Sequence, residues 1–290
     1  MRRVLVTGAD GSIGRAAVAG LGTAGYDVTG LSLRYDHPST ADRPLVGDAR
    51  SPVDVSAALD GVDAVLHLAA IPHPSLGTPE EVFENNVAAT FNVLSQAGQR
   101  GIGRVVIASS INAFGVPMNV HPVVPAYYPL DEEVRADISD AYSLSKSVDE
   151  QSARMAWRCW GTNVIALRFP LVKTREQLLR FAANAERDPS TMVREGWAYL
   201  DLRDGVRAII AALESPVTGA HVVGLAADDI LIDRPTDELL REYAPTVPVR
   251  RPIAGRDALV DTSRARELLG FTPRHSIHST HENHHDTPAI

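Results

Sequence analysis

A single cysteine, Cys159, stands among 290 residues. One thiol closes no internal disulfide and supplies no thiolate-rich zinc site, so the chain bears no mark of secretion or of structural zinc, and the cytoplasm is the expected compartment. Long apolar runs are missing too. The start MRRVLVTGADG carries only Val4 to Val6 before Thr7 and Gly8, short of a signal peptide's apolar core. No later run approaches the roughly 18 apolar residues of a membrane span, so no membrane association is expected. Basic charge is in deficit: 28 Lys and Arg against 36 Asp and Glu leave a net charge of −8. A phosphate backbone would repel that balance, and no nucleic-acid partner is expected. Solenoid-type repeats and low-complexity linkers are also lacking, so any two lobes should share an interface.

What remains is a globular composition, 44% hydrophobic and 22% charged, with a length that suits one large domain or two modest ones. Short runs rich in Val, Ile and Leu recur at Val4–Thr7, Val28–Leu33, Ala64–Leu68, Val105–Ser109 and Val164–Phe169. All but the last are followed by helical periodicity before the next begins. Continuous apolar strands need cover on both faces, and crossover helices supply it, so the pattern predicts an α/β fold: a Rossmann-type, doubly wound parallel sheet. Helix punctuation agrees. Ser51-Pro52 reads as an N-cap with Pro in the first turn, Thr78-Pro79-Glu80-Glu81 as a capping box opening a helix to about Gly101, and a further helix should span Asp140 to Trp160, stopped by Gly161.

After Phe169 the alternation loosens into helices near Thr174–Arg187, Leu202–Glu214, Thr236–Tyr243 and Ser263–Leu269, with a short strand at His221–Gly224. This predicts a dinucleotide-binding domain over 1–170 and a small substrate-binding lobe over 171–274. From His275 the chain has few apolar residues and five of its ten histidines. It reads as a flexible tail over 275–290, dispensable for activity and without the fixed geometry of a metal site, so no metal is expected.

Gly8, Gly11 and Gly14 follow the first strand and open the first helix. In that context the glycines allow a tight turn and close backbone approach, and a pyrophosphate can sit against the free N–H groups of the helix. The end of the second strand normally carries an acid for the adenosine ribose of NAD. Here Ser32 stands in its place and Arg34 follows, a charge suited to a 2′-phosphate, which favours NADP over NAD; nearby Asp36 could restore a preference for NAD. Tyr142 and Lys146, four apart on a predicted helix, share a face. An ammonium beside a phenol favours the phenolate, as a general acid/base for alcohol–ketone interconversion requires. Ser109 and Ser110 end the fourth run, at the carboxyl edge where ligands of open α/β sheets bind.

Taken together these motifs carry a resemblance. TGxxGxxG, Gly47-Asp48, His67-Leu68-Ala69-Ala70, the Asn86–Leu94 segment, Ser109-Ser110 and Tyr142-x-x-x-Lys146 are similar, in order and separation, to the extended short-chain dehydrogenase/reductase family of NAD-dependent epimerase/dehydratase type. Leu167-Arg168, Tyr199–Asp204 and Ser263–Pro273 extend the likeness to about His275. The resemblance implies Tyr142 as acid/base, Lys146 on the nicotinamide ribose and Ser110 on the reacting oxygen. It places Gly8, Gly11, Ser12, Ile13, Gly14, Ser32, Arg34, Asp48, Ala49, Leu68, Ala69, Ala70, Asn86, Ser109, Tyr142, Lys146 and Pro170 at the cofactor. Ile71, Ser110, Asn112, Tyr142 and Arg168 would meet the substrate. His67 reads as a packed strand histidine rather than a catalyst.

Phe114-Gly115 replaces a common Tyr-Gly, and Ile111-Asn112 replaces the acidic pair of 4,6-dehydratases, which disfavours dehydration of a nucleotide sugar. Compact uronate dehydrogenases, with a similar Ala-Ser-Ser segment and an arginine matching Arg168, are the nearest analogy. The expected activity is NAD(P)-dependent oxidation or reduction at a hydroxyl or carbonyl of a sugar or related polyol, by a homodimer. A sugar epimerase would use the same three residues, whereas a catalytically silent dinucleotide sensor would usually lack the Tyr or the Lys. The long segment from Val116 to Asp140 is expected to wall the substrate pocket.

Overall fold

The computed structural model describes residues 2–279. Its first half alternates as the apolar runs require: β1 (Arg3–Thr7), α1 (Ser12–Thr23), β2 (Asp27–Ser32), β3 (Arg43–Val46), α2 (Pro52–Ala58), β4 (Ala64–His67), α3 (Pro79–Gln99), β5 (Arg104–Ser110), α4 (Ala141–Trp160) and β6 (Asn163–Phe169). There follow β7 (Leu171–Lys173), α5 (Arg175–Arg187), β8 (Tyr199–Asp201), α6 (Leu202–Glu214), β9 (Ala220–Gly224), α7 (Thr236–Tyr243) and α8 (Ser263–Leu269). Seven strands form one parallel sheet in the order β3-β2-β1-β4-β5-β6-β9. The order reverses between β1 and β4, which opens a crevice beyond their carboxyl ends where α/β sheets bind ligands.

Side-chain alternation on β1 shows how both faces are covered. Val4 and Val6 point into a core with Ala17 and Val18 of α1 and Ile209 and Leu213 of α6, while Leu5 points into one with Val55 of α2, Val93 and Leu94 of α3 and Ala153 of α4. The caps read from sequence are present. Ser51 accepts from the Asp54 N–H, Thr78 and Glu81 form a reciprocal capping box, Asp140 caps α4, and Gly161 ends it at φ +69.

Three features differ from the sequence reading. The strand near 221–224 is the seventh strand of the large sheet, parallel to β6, and α6 packs on that sheet beside α1, so the chain returns to the first lobe after 170. The second core instead gathers Phe114, just after β5, and Tyr128 and Leu130 of the long loop with Leu178, Trp197, Tyr199, Ile230 and Leu259. The edge strand β3 was not anticipated: its four residues include Pro44, which only an edge tolerates.

The third difference is at the C-terminus, where His275–Ser279 are packed rather than loose. Both the Arg274 and His275 N–H groups donate to Asp204 Oδ2 at 2.8 Å, the Ile277 N–H donates to the Tyr199 hydroxyl at 3.0 Å, and Ile277 is 5% exposed. The rest of the histidine-rich stretch lies outside the described residues. Ile277→Ala should therefore cost about 2–5 kcal/mol, the range for emptying a buried Ile site, and truncation after Arg274 should cost more. Urea unfolding followed by circular dichroism measures both; unchanged midpoints would show that the segment adds nothing.

Candidate active site

The glycine turn is built by backbone contact. Gly8 sits at φ +68, and a Cβ there would lie 2.8 Å from the Ala69 nitrogen; at Gly14 it would lie 2.1 Å from the Gly8 carbonyl oxygen. Only glycine lets β1 turn into α1 while pressed against the loop after β4. Gly11 caps α1 without a side-chain acceptor, and the first turn holds no acid. The N–H groups of a first turn lack intrahelical acceptors. An anionic diphosphate fits this end of α1, with Ser12 and Ile13 as its first residues.

The loop after β4 is fixed from the other side by Asn86, 0% exposed. Its Oδ1 accepts from the Ile71 N–H at 2.7 Å, and its Nδ2 donates to the Ile71 carbonyl and to Ser145 Oγ, both at 3.1 Å. Ser145 Oγ donates in turn to the Tyr142 carbonyl at 2.7 Å. One asparagine thus ties Leu68–Ile71 to the first turn of α4, and Ile71 is engaged through its backbone.

Ser110 ends β5 and Tyr142 stands in the first turn of α4, both buried. Ser110 Oγ accepts from the Asn112 N–H at 3.1 Å and from Asn112 Nδ2 at 3.2 Å. With both lone pairs engaged, its hydroxyl proton is what it can offer a substrate oxygen. Asn112 therefore orients Ser110. Lys146 Nζ lies 6.0 Å from the Tyr142 ring centroid and donates to the Ala108 carbonyl at 2.9 Å and to Asp149 Oδ2 at 3.1 Å. Burial pulls the Lys146 ammonium down, but the Asp149 carboxylate and the Tyr142 oxygen more than offset it and leave the ammonium above its usual range. Asp149, three residues beyond Lys146, was missed; an acid one helical turn from a lysine was the available signal.

Two of the expected site residues have their side chains engaged with Glu150. The Ser109 hydroxyl, expected at the cofactor, points to the opposite face from Ser110 and donates to Glu150 Oε1 at 2.6 Å. The Arg168 guanidinium, expected at the substrate, is committed to Glu150: Nε to Oε1 at 2.8 Å and Nη2 to Oε2 at 2.9 Å, with both side chains nearly buried. Elsewhere in the second lobe, Arg194 donates to the Asn119 and His121 carbonyls and so fastens the long loop to that lobe, while Arg203 pairs with Asp201. Arg34 pairs with Asp36 at 2.7 Å on the surface, and Asp48 with Arg50.

His67 is packed, as its strand position implied. Its Nδ1 lies 2.7 Å from Thr7 Oγ1 and its Nε2 3.1 Å from Thr90 Oγ1, and burial, helped by the Lys146 charge, drives its pKa down to about 3, so it is neutral.

The sequence model of the NAD dependent epimerase/dehydratase family matches residues 4–224. The chain belongs to that family. It is an enzyme of the extended short-chain dehydrogenase/reductase type. A UDP-glucose 4-epimerase of Corynebacterium glutamicum is 25% identical over 94% of this chain and 92% of its own. An L-arabinose 1-dehydrogenase (NAD(P)(+)) of Haloferax volcanii is 28% identical over 73% of this chain and 84% of its own. A short-chain dehydrogenase/reductase superfamily protein from Agrobacterium tumefaciens, crystallised with bound NAD, superposes with a TM-score of 0.72 at 25% identity, covering 95% of this chain and 94% of that one. No helix among the described residues is long and apolar enough to cross a membrane.

Arg168→Ala leaves Glu150 charged and buried, and such a loss costs about 3–5 kcal/mol. A urea midpoint unchanged from wild type would return Arg168 to the substrate pocket.

Proposed function

We propose that this enzyme is an NAD(P)-dependent dehydrogenase acting on a hydroxyl or carbonyl of a sugar or related polyol. The observation that carries the reading is the convergence of Ser110, Tyr142 and Lys146 at the carboxyl edge of β5, beside a glycine turn whose geometry suits a diphosphate. Bound NAD(P) supplies the hydride acceptor or donor. Gly8–Gly14, Leu68–Ala70 and Pro170 would hold it along the crevice, with Ser32, Arg34, Asp48 and Ala49 toward its adenosine end.

Tyr142 Oη takes the proton of the substrate hydroxyl in oxidation and returns it in reduction. Ser110 donates its proton to the same oxygen and holds it in place as negative charge develops there. Lys146, fixed by the Ala108 carbonyl, keeps a positive charge beside Tyr142. The long loop fastened by Arg194 forms one wall of the substrate pocket.

Epimerisation is the second reading, favoured by the C. glutamicum relative that aligns over nearly the whole chain. Candidate sugars with NAD(P) in excess separate the two: a dehydrogenase changes bulk reduced-cofactor absorbance, and an epimerase does not. Pairing of two copies is supported by the exposed Phe91 on α3 and Leu144 on α4, and a cytoplasmic setting by the single cysteine.

Tyr142→Phe removes the proton relay but leaves the glycine turn intact, so turnover should fall by at least about 100-fold, the low end for a general acid/base, with cofactor affinity nearly unchanged. Turnover within a few-fold of wild type overturns the assignment. For cofactor choice, Arg34 must exchange Asp36 for a 2′-phosphate, a charge-assisted bond of about 1.5–3 kcal/mol or roughly 10–150-fold in affinity before that exchange is counted. NADPH should bind more tightly than NADH in fluorescence titrations, and Arg34→Ala should weaken NADPH alone. NADH binding tenfold tighter to the wild type would reject NADP and point to Asp36 on the ribose.

A further inference from the structure

Asp149 is 1% exposed and shares its Oδ2 with the Lys146 ammonium at 3.1 Å, on the inward face of α4. A buried carboxylate is costly unless paired. Its placement one turn beyond the catalytic lysine, aimed at Nζ, makes it part of the lysine's surroundings rather than of the general core. Burial pushes the Asp149 carboxyl above its usual range, and the Lys146 charge and the Thr90 hydroxyl, from α3, pull it part of the way back.

The hydrogen bonds behind this pair have a direction. Thr7 Oγ1 accepts from the Leu68 N–H at 3.2 Å and the Ala69 N–H at 3.3 Å, so its own proton goes to His67 Nδ1. Neutral His67 then carries its proton on Nε2 and donates to Thr90 Oγ1. These bonds run from the residue before Gly8 to Thr90 on α3.

Among the described residues, Asp149 is the carboxylate in direct contact with the Lys146 ammonium. From α4 the ammonium is faced by Tyr142, Asp149 and Glu150; from β4 by His67, which is neutral; from α3 by Thr90 and from β5 by the Ala108 carbonyl. Glu150 is already matched by the Arg168 guanidinium of β6.

We infer that Asp149 is a positioning residue of the reaction: it holds the Lys146 ammonium charged and aimed beside Tyr142. The role of Lys146 rests on the proposed function; the ion pair and its consequence for Lys146 do not. Without Asp149 the largest of the effects that offset the burial of Lys146 is gone, and the ammonium loses its proton at lower pH.

The chain has two lysines, Lys146 and Lys173, so 13C at the lysine Cε carbons gives two signals, assigned by Lys173→Arg. In the wild-type protein the Lys146 signal should titrate above the usual lysine range. A wild-type Lys146 midpoint below about pH 9, as for a buried lysine lacking a counter-charge, overturns the inference even if every variant fails to fold. In Asp149→Asn the Lys146 midpoint should fall by about one unit or more, and Asp149→Glu should restore part of it. A midpoint in folded Asp149→Asn within 0.3 unit of wild type refutes the role. Because the readout needs no substrate, the expected shift alongside active Tyr142→Phe protein would uphold the pair and reject only the dehydrogenase reading.

Discussion

A charge inside a protein is tolerated only with a partner, and the inward face of α4 is where that constraint is met. The helix buries Tyr142, Ser143, Ser145, Lys146, Asp149 and Glu150 before it reaches Ala153 and Ala156. Its carboxyl half docks by apolar packing on the core of the α3 side of the sheet. Its amino half docks through the Lys146 hydrogen bond to the Ala108 carbonyl of β5, the Glu150 ion pair with Arg168 of β6 and the Ser109 hydroxyl, while Lys146 and Asp149 pair within the helix. Replacing such pairs with apolar groups is often neutral for stability. Their retention next to Tyr142 fits a region organised for orientation rather than for fold strength.

The same constraint separates two arginine environments. Arg168 is removed from solvent and matched oxygen for oxygen to Glu150, so its position follows from β6 and α4 alone. Arg34 and Asp36, by contrast, are largely exposed. An exposed pair of this kind contributes little to stability and exchanges partners readily. The two residues therefore belong to different problems, one to holding strands and helix together, the other to whatever the β2 edge meets.

Much of this was legible in the residues, for identifiable reasons. Central parallel strands such as Val4–Val6 and Val164–Leu167 are buried on both faces and read as continuous apolar runs, and caps such as Thr78 with Glu81 have local chemistry that tertiary context did not override. β3 was illegible because an edge strand needs no such run and its Pro44 argues against a strand. β9 was visible as a strand, but its pairing with β6 is a contact across the chain that no local pattern encodes. At the site, glycine spacing and the Tyr142–Lys146 interval were readable because both are short-range. The facing of Ser109 toward Glu150 depends on which side of β5 meets α4, and the commitment of Arg168 depends on β6 lying beside it. Neither is a property of the segment itself. The C-terminal residues His275–Ser279 looked too polar to dock, yet one apolar side chain, Ile277, and the Asp204 carboxylate hold them.

The return of the chain to the large sheet has a consequence for how the protein is made. Because β9 closes the β6 edge and α6 covers one sheet face with Ala208, Ile209, Ala212 and Leu213, no contiguous amino-terminal fragment ending near residue 170 is a finished folding unit. During synthesis the nascent chain carries an open parallel edge and a bare apolar sheet face until residue 224 has left the ribosome, and unpaired edges of this kind template association. The second lobe is meanwhile threaded between α4 and the strand that completes the first, so the two lobes mature together rather than in sequence.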